Sequence, residues 1–202
     1  MLVNNSKTKY LIGIDEVGHG PIAGPVAVGA FVFLKLESKK FFKGVKESKQ
    51  LSEAKREIWF KKIQEAQKLG LINFAVNFQS EKIIDKKGIS FAIKEALRVS
   101  LKKLKINPDK CKVLLDGGLK APIEYKDQKT IIKGDTKEMV IALASICAKV
   151  LRDRKMREWG KKYPEYGFDV NKGYGTKRHY EAIKKLGLIS LHRKSFLQKS
   201  SI

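Results

Sequence analysis

Two adjacent carboxylates, Asp15 and Glu16, close an apolar run (Leu11, Ile12, Ile14) and are followed at once by Gly18 and Gly20. Acids at the end of a buried strand are costly unless something positive meets them. Asp116 repeats the arrangement, with Val113-Leu114-Leu115 before it and Gly117-Gly118 after it. Oxygen ligands suit hard divalent ions, Mg²⁺ or Mn²⁺, which would offset the repulsion among such carboxylates. The alternative is that each acid pairs with a separate base or caps a turn, and 43 Lys and Arg are available. Spacing alone leaves both open.

Neighbouring side chains on a strand point to opposite faces, so Asp15 and Glu16 share a site only if the strand stops there and the chain turns. Gly18 and Gly20 permit that turn. Residues 10–16 and 24–34 read as an antiparallel strand pair around it. Gly18-x-Gly20-x-x-Ala23 formally matches a dinucleotide fingerprint. That motif needs a helix next, whereas Val26, Val28, Phe31 and Val32 follow, and two carboxylates would face the pyrophosphate.

Farther on, Ser52 reads as the N-cap of a helix over 53–69, with Ile58, Trp59, Ile63 and Ala66 apolar and Gly70 at its end. Residues 71–78 read as a strand, and 80–86 and 89–105 as helices broken at Gly88. A buried strand over 111–115 ends in Asp116, and 130–133 is another. Residues 136–157 form a long helix so poor in polar positions around Ala144 to Val150 that it must be central. A looser basic tail carries a helix near 176–187. This order predicts an α/β layer fold with a mixed sheet, Asp15 and Asp116 lying at one sheet edge.

The chain has 202 residues, 43% of them hydrophobic, enough for one domain with a sizeable core. Its net charge of +22 favours polyanionic partners, although a lysine excess also serves solubility alone. Cys111 and Cys147 stand far apart, which argues against a zinc site or a disulfide framework. No apolar run approaches the roughly 20 residues of a membrane span, and the N-terminus lacks the apolar core of a signal peptide. A cytoplasmic protein is expected.

The stretch Ile14-Asp15-Glu16-Val17-Gly18-x-Gly20-Pro21-x-Ala23-Gly24-Pro25-Val26 resembles the opening motif of ribonuclease HII. The resemblance continues through Ser48-Lys49-x-Leu51-Ser52, Leu115-Asp116-Gly117 and Lys133-Gly134-Asp135. It then takes in Ala144-Ser145-Ile146-x-Ala148-Lys149-Val150-x-Arg152-Asp153 and Tyr166-Gly167-Phe168. Lys172-Gly173-Tyr174-Gly175-Thr176 and Leu191-His192-Arg193-x-Ser195-Phe196 complete it, in family order over about residues 10–197.

This resemblance implies a ribonuclease H-like mixed β-sheet flanked by helices, with a C-terminal helical extension. A single domain over 1–202 is expected, its catalytic core over about 10–160 and the extension over 161–202 contributing to substrate binding. The implied activity is endonucleolytic hydrolysis of the RNA strand of RNA–DNA hybrids, leaving 5′-phosphates, together with incision 5′ of single ribonucleotides embedded in duplex DNA. Asp15, Glu16, Asp116 and Asp135 would bind two divalent ions, Mn²⁺ or Mg²⁺, in a two-metal scheme. A monomer acting on hybrids and on ribonucleotide-containing DNA, in ribonucleotide removal, is expected.

Asp153 competes with Asp135 as the fourth acid. If 136–153 is one helix, the two stand about 27 Å apart and cannot serve one site. Asp135 follows a strand, as the cluster requires, though Asp135-x-x-Glu138 also fits a capping box. Asp153, between Arg152 and Arg154, reads as a solvated ion-pair face.

A ribonucleotide differs from a deoxynucleotide by its 2′-hydroxyl, so discrimination must act there. The resemblance places the Gly18-His19-Gly20 backbone against that group and Tyr174 at the junction, its ring on the following deoxyribose. Lys49, Lys149 and Lys172 are candidates for phosphate contacts, although each also reads as a surface lysine. His19 departs from the arginine usual in the family, as Glu47-Ser48-Lys49-Gln50 departs from Asp-Ser-Lys-Lys. If that side chain only holds the loop or a phosphate, His can partly substitute, with pH dependence near neutrality; if the guanidinium makes a bidentate contact, binding or junction selectivity should suffer. His179 and His192 receive no role. The rival reading is a basic nucleic-acid binder without catalysis, which has no reason to put carboxylates where phosphates dock. The sibling ribonuclease HIII usually carries an extra N-terminal domain, which is not expected here, with about nine residues ahead of the first strand.

Overall fold

The structure, a computed structural model, describes residues 9–45 and 51–197. Its sheet follows from apolar residues at alternate positions. In β1 (Tyr10–Val17) and β2 (Val26–Phe33), Ile12, Ile14, Val28, Ala30 and Val32 share one buried face. The pleat therefore turns residues 13 and 15 to the opposite face. β3 (Ile72–Gln79), β4 (Cys111–Asp116) and β5 (Gln128–Ile131) complete a five-stranded sheet in the order β3-β2-β1-β4-β5. β3, β2 and β1 pair antiparallel, whereas β4 and β5 run parallel to β1. This is the mixed sheet that the sequence predicts.

Helices cover both faces. α1 (Glu53–Lys68), α2 (Glu81–Lys87) and α3 (Ile89–Leu104) precede β4. α3 presses Ala92, Ala96, Leu97 and Leu101 onto the Ile12 and Ile14 face. Ser52 caps α1 by accepting the Lys55 N–H at 3.3 Å. Phe60, Ile63 and Ala66 form its buried stripe, while Ile58, expected there, is 62% exposed. Two residues at 100° each set Ile58 on the far side from Phe60.

The expected helix over 136–157 is two helices. α4 (Gly134–Lys137) is a single turn, Glu138 is extended at φ −122° and ψ 114°, and α5 (Met139–Lys162) follows. Residues 140–148 of α5 are all buried, as their composition predicts. Gly13 and Gly29 let α5 reach the sheet. A Cβ at Gly13 would stand 2.2 Å from the Val140 carbonyl oxygen, and one at Gly29 2.3 Å from that of Ala144.

The tail contributes α6 (Phe168–Asn171), α7 (Lys177–Leu186) and α8 (Lys194–Leu197). A separate apolar cluster, including Ile22, Met156, Phe168, Ile183 and Leu191, fastens it to α5 and to the loop after β1. Asp85 on α2 accepts from the Lys194 and Ser195 N–H groups, both at 3.0 Å, which anchors α8. Among the described residues no helix is long and apolar enough to cross a membrane.

Candidate active site

Parallel pairing brings the first two acids together. Ile14 stands opposite Leu115 in the β1–β4 register, and one step on come Asp15 and Asp116. Both side chains leave the sheet toward α5, Asp15 sharing the face of Gly13 and Asp116 that of Leu114. The α4 turn supplies Asp135, which is buried. One carboxylate oxygen from each of Asp15, Asp116 and Asp135 lies within 4.8 Å of the others.

Two neutral donors organise the trio. The Gly134 N–H donates to Asp116 Oδ1 at 2.6 Å. Ser145, a hydroxyl within the apolar stretch of α5, hydrogen-bonds the Asp15 carboxylate. Burial nevertheless pushes the Asp15 carboxyl up to about 8; the Ser145 bond works against this, and the charges of Glu16, Asp116 and Asp135 add to it. A carboxyl held that high for want of positive charge is what a divalent ion reverses. The all-oxygen donor set fits Mg²⁺ or Mn²⁺.

Glu16 is not one of the three clustered carboxylates, although its charge is felt at Asp15. The expectation that the strand stops at these acids is not met: Glu16 and Val17 still pair with Val28 and Ala27 of β2, so the pleat sends Glu16 to the opposite face from Asp15. There it borders an open groove of about 880 Å³, together with His19, Lys94, Leu119, Lys120 and Ile123. His19 Nδ1 lies 3.9 Å from Glu16 Oε1.

Asp153 is not solvated as expected. It is 2% exposed, 2.8 Å from Lys149 Nζ and 3.9 Å from Arg56 Nη2. α1 packs over that face of α5, which explains the burial. Asp153 also lies outside the acidic trio, as the spacing requires. The capping box proposed for Asp135 and Glu138 is likewise not formed, since neither α4 nor α5 has a side-chain N-cap bond.

Lys172 takes a left-handed backbone (φ 50°), and its ammonium meets the Asp169 carbonyl and, at 3.6 Å, Glu53. Tyr174 keeps 45% of its surface exposed. Its N–H donates to Asn171 O and its carbonyl accepts from His179 Nδ1, both at 2.9 Å. Gly18 adopts φ 91°, the turn the sequence predicts, while Gly20 has open space around it. Lys49 lies outside the described residues.

Ser145, Arg152 and Arg193 belong to the motifs read from the sequence, yet the sequence reading gave them no role. The signal for Ser145 was a single hydroxyl in an apolar helix; for the arginines it was full burial, which sequence does not display.

The family model described as Ribonuclease HII matches residues 12–199. Ribonuclease HII of Clostridium beijerinckii is 44% identical over 192 residues, covering 95% of this chain and 68% of the relative. That of Bacillus cereus (strain B4264) is 46% identical over 187 residues, covering 93% and 68%. Among solved structures, ribonuclease H2 from Pyrococcus horikoshii OT3 matches with a TM-score of 0.72 at 26% identity, covering 92% of this chain and 93% of that one. A ribonuclease HII of Archaeoglobus fulgidus, solved in complex with PCNA, matches with the same TM-score at 25% identity, covering 94% and 95%. By sequence over nearly its whole length and by fold, the chain belongs to the ribonuclease HII family.

Proposed function

We propose that this protein is a metal-dependent endoribonuclease that cuts the RNA strand of RNA–DNA hybrids and incises 5′ of single ribonucleotides in duplex DNA. The observation that carries this reading is the convergence of Asp15, Asp116 and Asp135 within 4.8 Å, in a chain of net charge +22. A pure polyanion binder would place bases there, not three acids. Two divalent ions, when bound, would supply an activated attacking water and neutralise the leaving 3′ oxygen.

The chain's own groups do the positioning. Asp15, Asp116 and Asp135 would hold the ions, with Glu16 reaching the site from the groove side. Gly134 and Ser145 orient two of these carboxylates in the way that outer groups orient metal ligands. The Gly18-His19-Gly20 loop would meet the ribose 2′-hydroxyl, and the exposed Tyr174 ring would lie on the next sugar. Lys49, Lys149 and Lys172 would meet phosphates; Lys149 and Lys172 already have acidic neighbours in Asp153 and Glu53. The test is a gel assay of a DNA duplex carrying one ribonucleotide, with and without Mg²⁺ or Mn²⁺. Incision 5′ of the ribonucleotide, only with metal, supports the reading; binding without incision under every metal condition rejects it.

A further inference from the structure

Two guanidiniums, those of Arg152 and Arg193, have no surface exposure. Each hydrogen-bonds main-chain carbonyls. Arg152 donates from Nε to Pro25 O at 2.9 Å and from Nη1 to Lys172 O at 3.0 Å, with Nη2 3.5 Å from Ala23 O. Arg193 donates from Nε to Gly24 O at 2.8 Å, from Nη1 to His19 O at 2.9 Å and from Nη2 to Gly18 O at 2.7 Å. Burial and the nearby Arg152 lower the Arg193 pKa to about 9, so it remains a cation at neutral pH.

Peptide geometry turns these contacts into a direction. In a planar trans peptide the C=O of one residue and the N–H of the next point opposite ways, and among the described residues no peptide bond is cis. With the Gly18 and His19 carbonyls drawn inward onto Arg193, the N–H groups of His19 and Gly20 face outward, where both residues are exposed. Successive outward N–H groups form a concave donor pair for a hydroxyl or anionic oxygen.

We propose that Arg193 is a positioning residue for recognition of the ribose 2′-hydroxyl: it holds the Gly18 and His19 carbonyls and thereby aims the His19 and Gly20 N–H donors at the substrate. This rests on the functional reading above and adds to it the residue that sets the donors' direction. The backbone around Arg193 makes the aim rigid. Its N–H donates to Ile22 O and the Gly24 N–H donates to Leu191 O, both at 2.8 Å. His192, next in the chain, contacts His179, which binds the Tyr174 carbonyl. One short tail segment thus spaces the glycine loop from Tyr174. A lysine cannot reproduce a three-pronged grip on separate carbonyls.

The test measures affinity, with Ca²⁺ in place of Mg²⁺, for a DNA duplex with one ribonucleotide and for the same duplex all in DNA. The wild type, Arg193→Lys and Arg152→Lys are compared. Arg152 is equally buried but holds neither the Gly18 nor the His19 carbonyl, so it controls for a general loss of packing. Arg193→Lys is expected to cut the preference for the ribonucleotide duplex roughly tenfold, the effect of one well-aimed hydrogen bond, while all-DNA affinity and the Arg152→Lys preference hold. Full preference in Arg193→Lys, or equal loss in both variants, overturns the proposal. No preference in the wild type would instead overturn the functional reading. Hydrogen exchange on the wild type needs no variant to fold. Protection of the His19 and Gly20 amides by the ribonucleotide duplex, and not by all-DNA, is expected, and equal protection by both overturns the role.

Discussion

Gly134 N–H and Asp116 Oδ1 lie 2.6 Å apart, so the acid that ends β4 is tied to the residue just before Asp135. One neutral bond thereby fixes the relative placement of two of the three clustered carboxylates. To present that N–H, Lys133 takes a left-handed backbone at φ 54°. For a residue with a Cβ this costs about 1–2 kcal/mol, against roughly 0.5–1 kcal/mol for the extra chain entropy that a glycine loses on folding. Lys133→Gly is therefore expected to be at least as stable as the wild type in thermal melts. A clear loss of stability would mean that the lysine side chain makes a contribution beyond its backbone angle.

Asp116→Asn keeps an oxygen that can accept the Gly134 N–H, so the α4 turn should survive. It removes one negative charge from the trio. Cleavage is expected to vanish while hybrid binding stays intact or tightens, because one source of repulsion toward phosphate is gone. Gel cleavage and fluorescence anisotropy on the same hybrid check both halves. Metal-dependent turnover retained by the variant would remove Asp116 from the site.

The metal-free protein should carry a pH signature of Asp15. Its carboxyl is raised from 3.8 to about 8 in the fold, mainly by burial. Between those values the unfolded chain has released this proton and the folded one has not, so the contribution to stability falls as pH rises through that window. Melts in a chelator from pH 5 to 8.5 should show Asp15→Asn gaining on the wild type toward the alkaline end. Added Mg²⁺ or Mn²⁺ should reverse the loss in the wild type and not in the variant, since binding requires the ionised carboxylate. Ser145→Ala removes the hydrogen bond that opposes the shift and should carry the decline to higher pH. Parallel curves for wild type and Asp15→Asn would contradict this account of Asp15.

Much of this arrangement was legible in the sequence because it is local. The apolar runs ending in Asp15 and Asp116 marked strand ends at one edge of the sheet, and their glycine followers marked the turns; that the two strands pair parallel came from the structure. What stayed hidden depends on which surface packs against which. Nothing in the order of residues says that β1 keeps pairing through Val17 and so parts Glu16 from Asp15. Asp153 looked solvated between two arginines until α1 covered that face. The carbonyl grips of Arg152 and Arg193 join residues far apart in the chain, a relationship that no periodicity encodes.

Tyr174 keeps almost half its surface exposed although its backbone is held on both sides. A ring so presented is expected to matter most where the substrate offers a single junction between ribose and deoxyribose. Tyr174→Ala and Tyr174→Phe should lower incision at an isolated ribonucleotide more than cleavage of a long hybrid, with alanine the more severe. Rates on the two substrates, taken with the same preparation, give the ratio directly. Equal losses on both would deny the ring a junction role.

The last prediction concerns the histidines to which the sequence assigned nothing. His192 Nδ1 lies 3.0 Å from the Ile189 nitrogen and 3.2 Å from the Ile189 carbonyl; accepting the Ile189 N–H puts the ring proton on Nε2, the tautomer that also completes the contact with His179. His192 Nε2 lies 3.1 Å from His179 Nε2, and His179 Nδ1 lies 2.9 Å from the Tyr174 carbonyl. Two neutral rings satisfy this chain with one proton per contact, whereas an added proton would put two N–H groups face to face. Burial accordingly lowers both pKa values, that of His192 to about 4 with the neighbouring His179 adding to the effect. Their stabilisation is complete above about 6.5, the unfolded value, and is lost as pH falls toward 4. Asp15 pulls the other way over the same range, so the net melting curve can look flat. The informative quantity is the difference between wild type and His192→Gln in metal-free melts from pH 7 to 4.5. The wild type should lose its advantage as pH falls, and a constant gap would show that the pair does not titrate with folding.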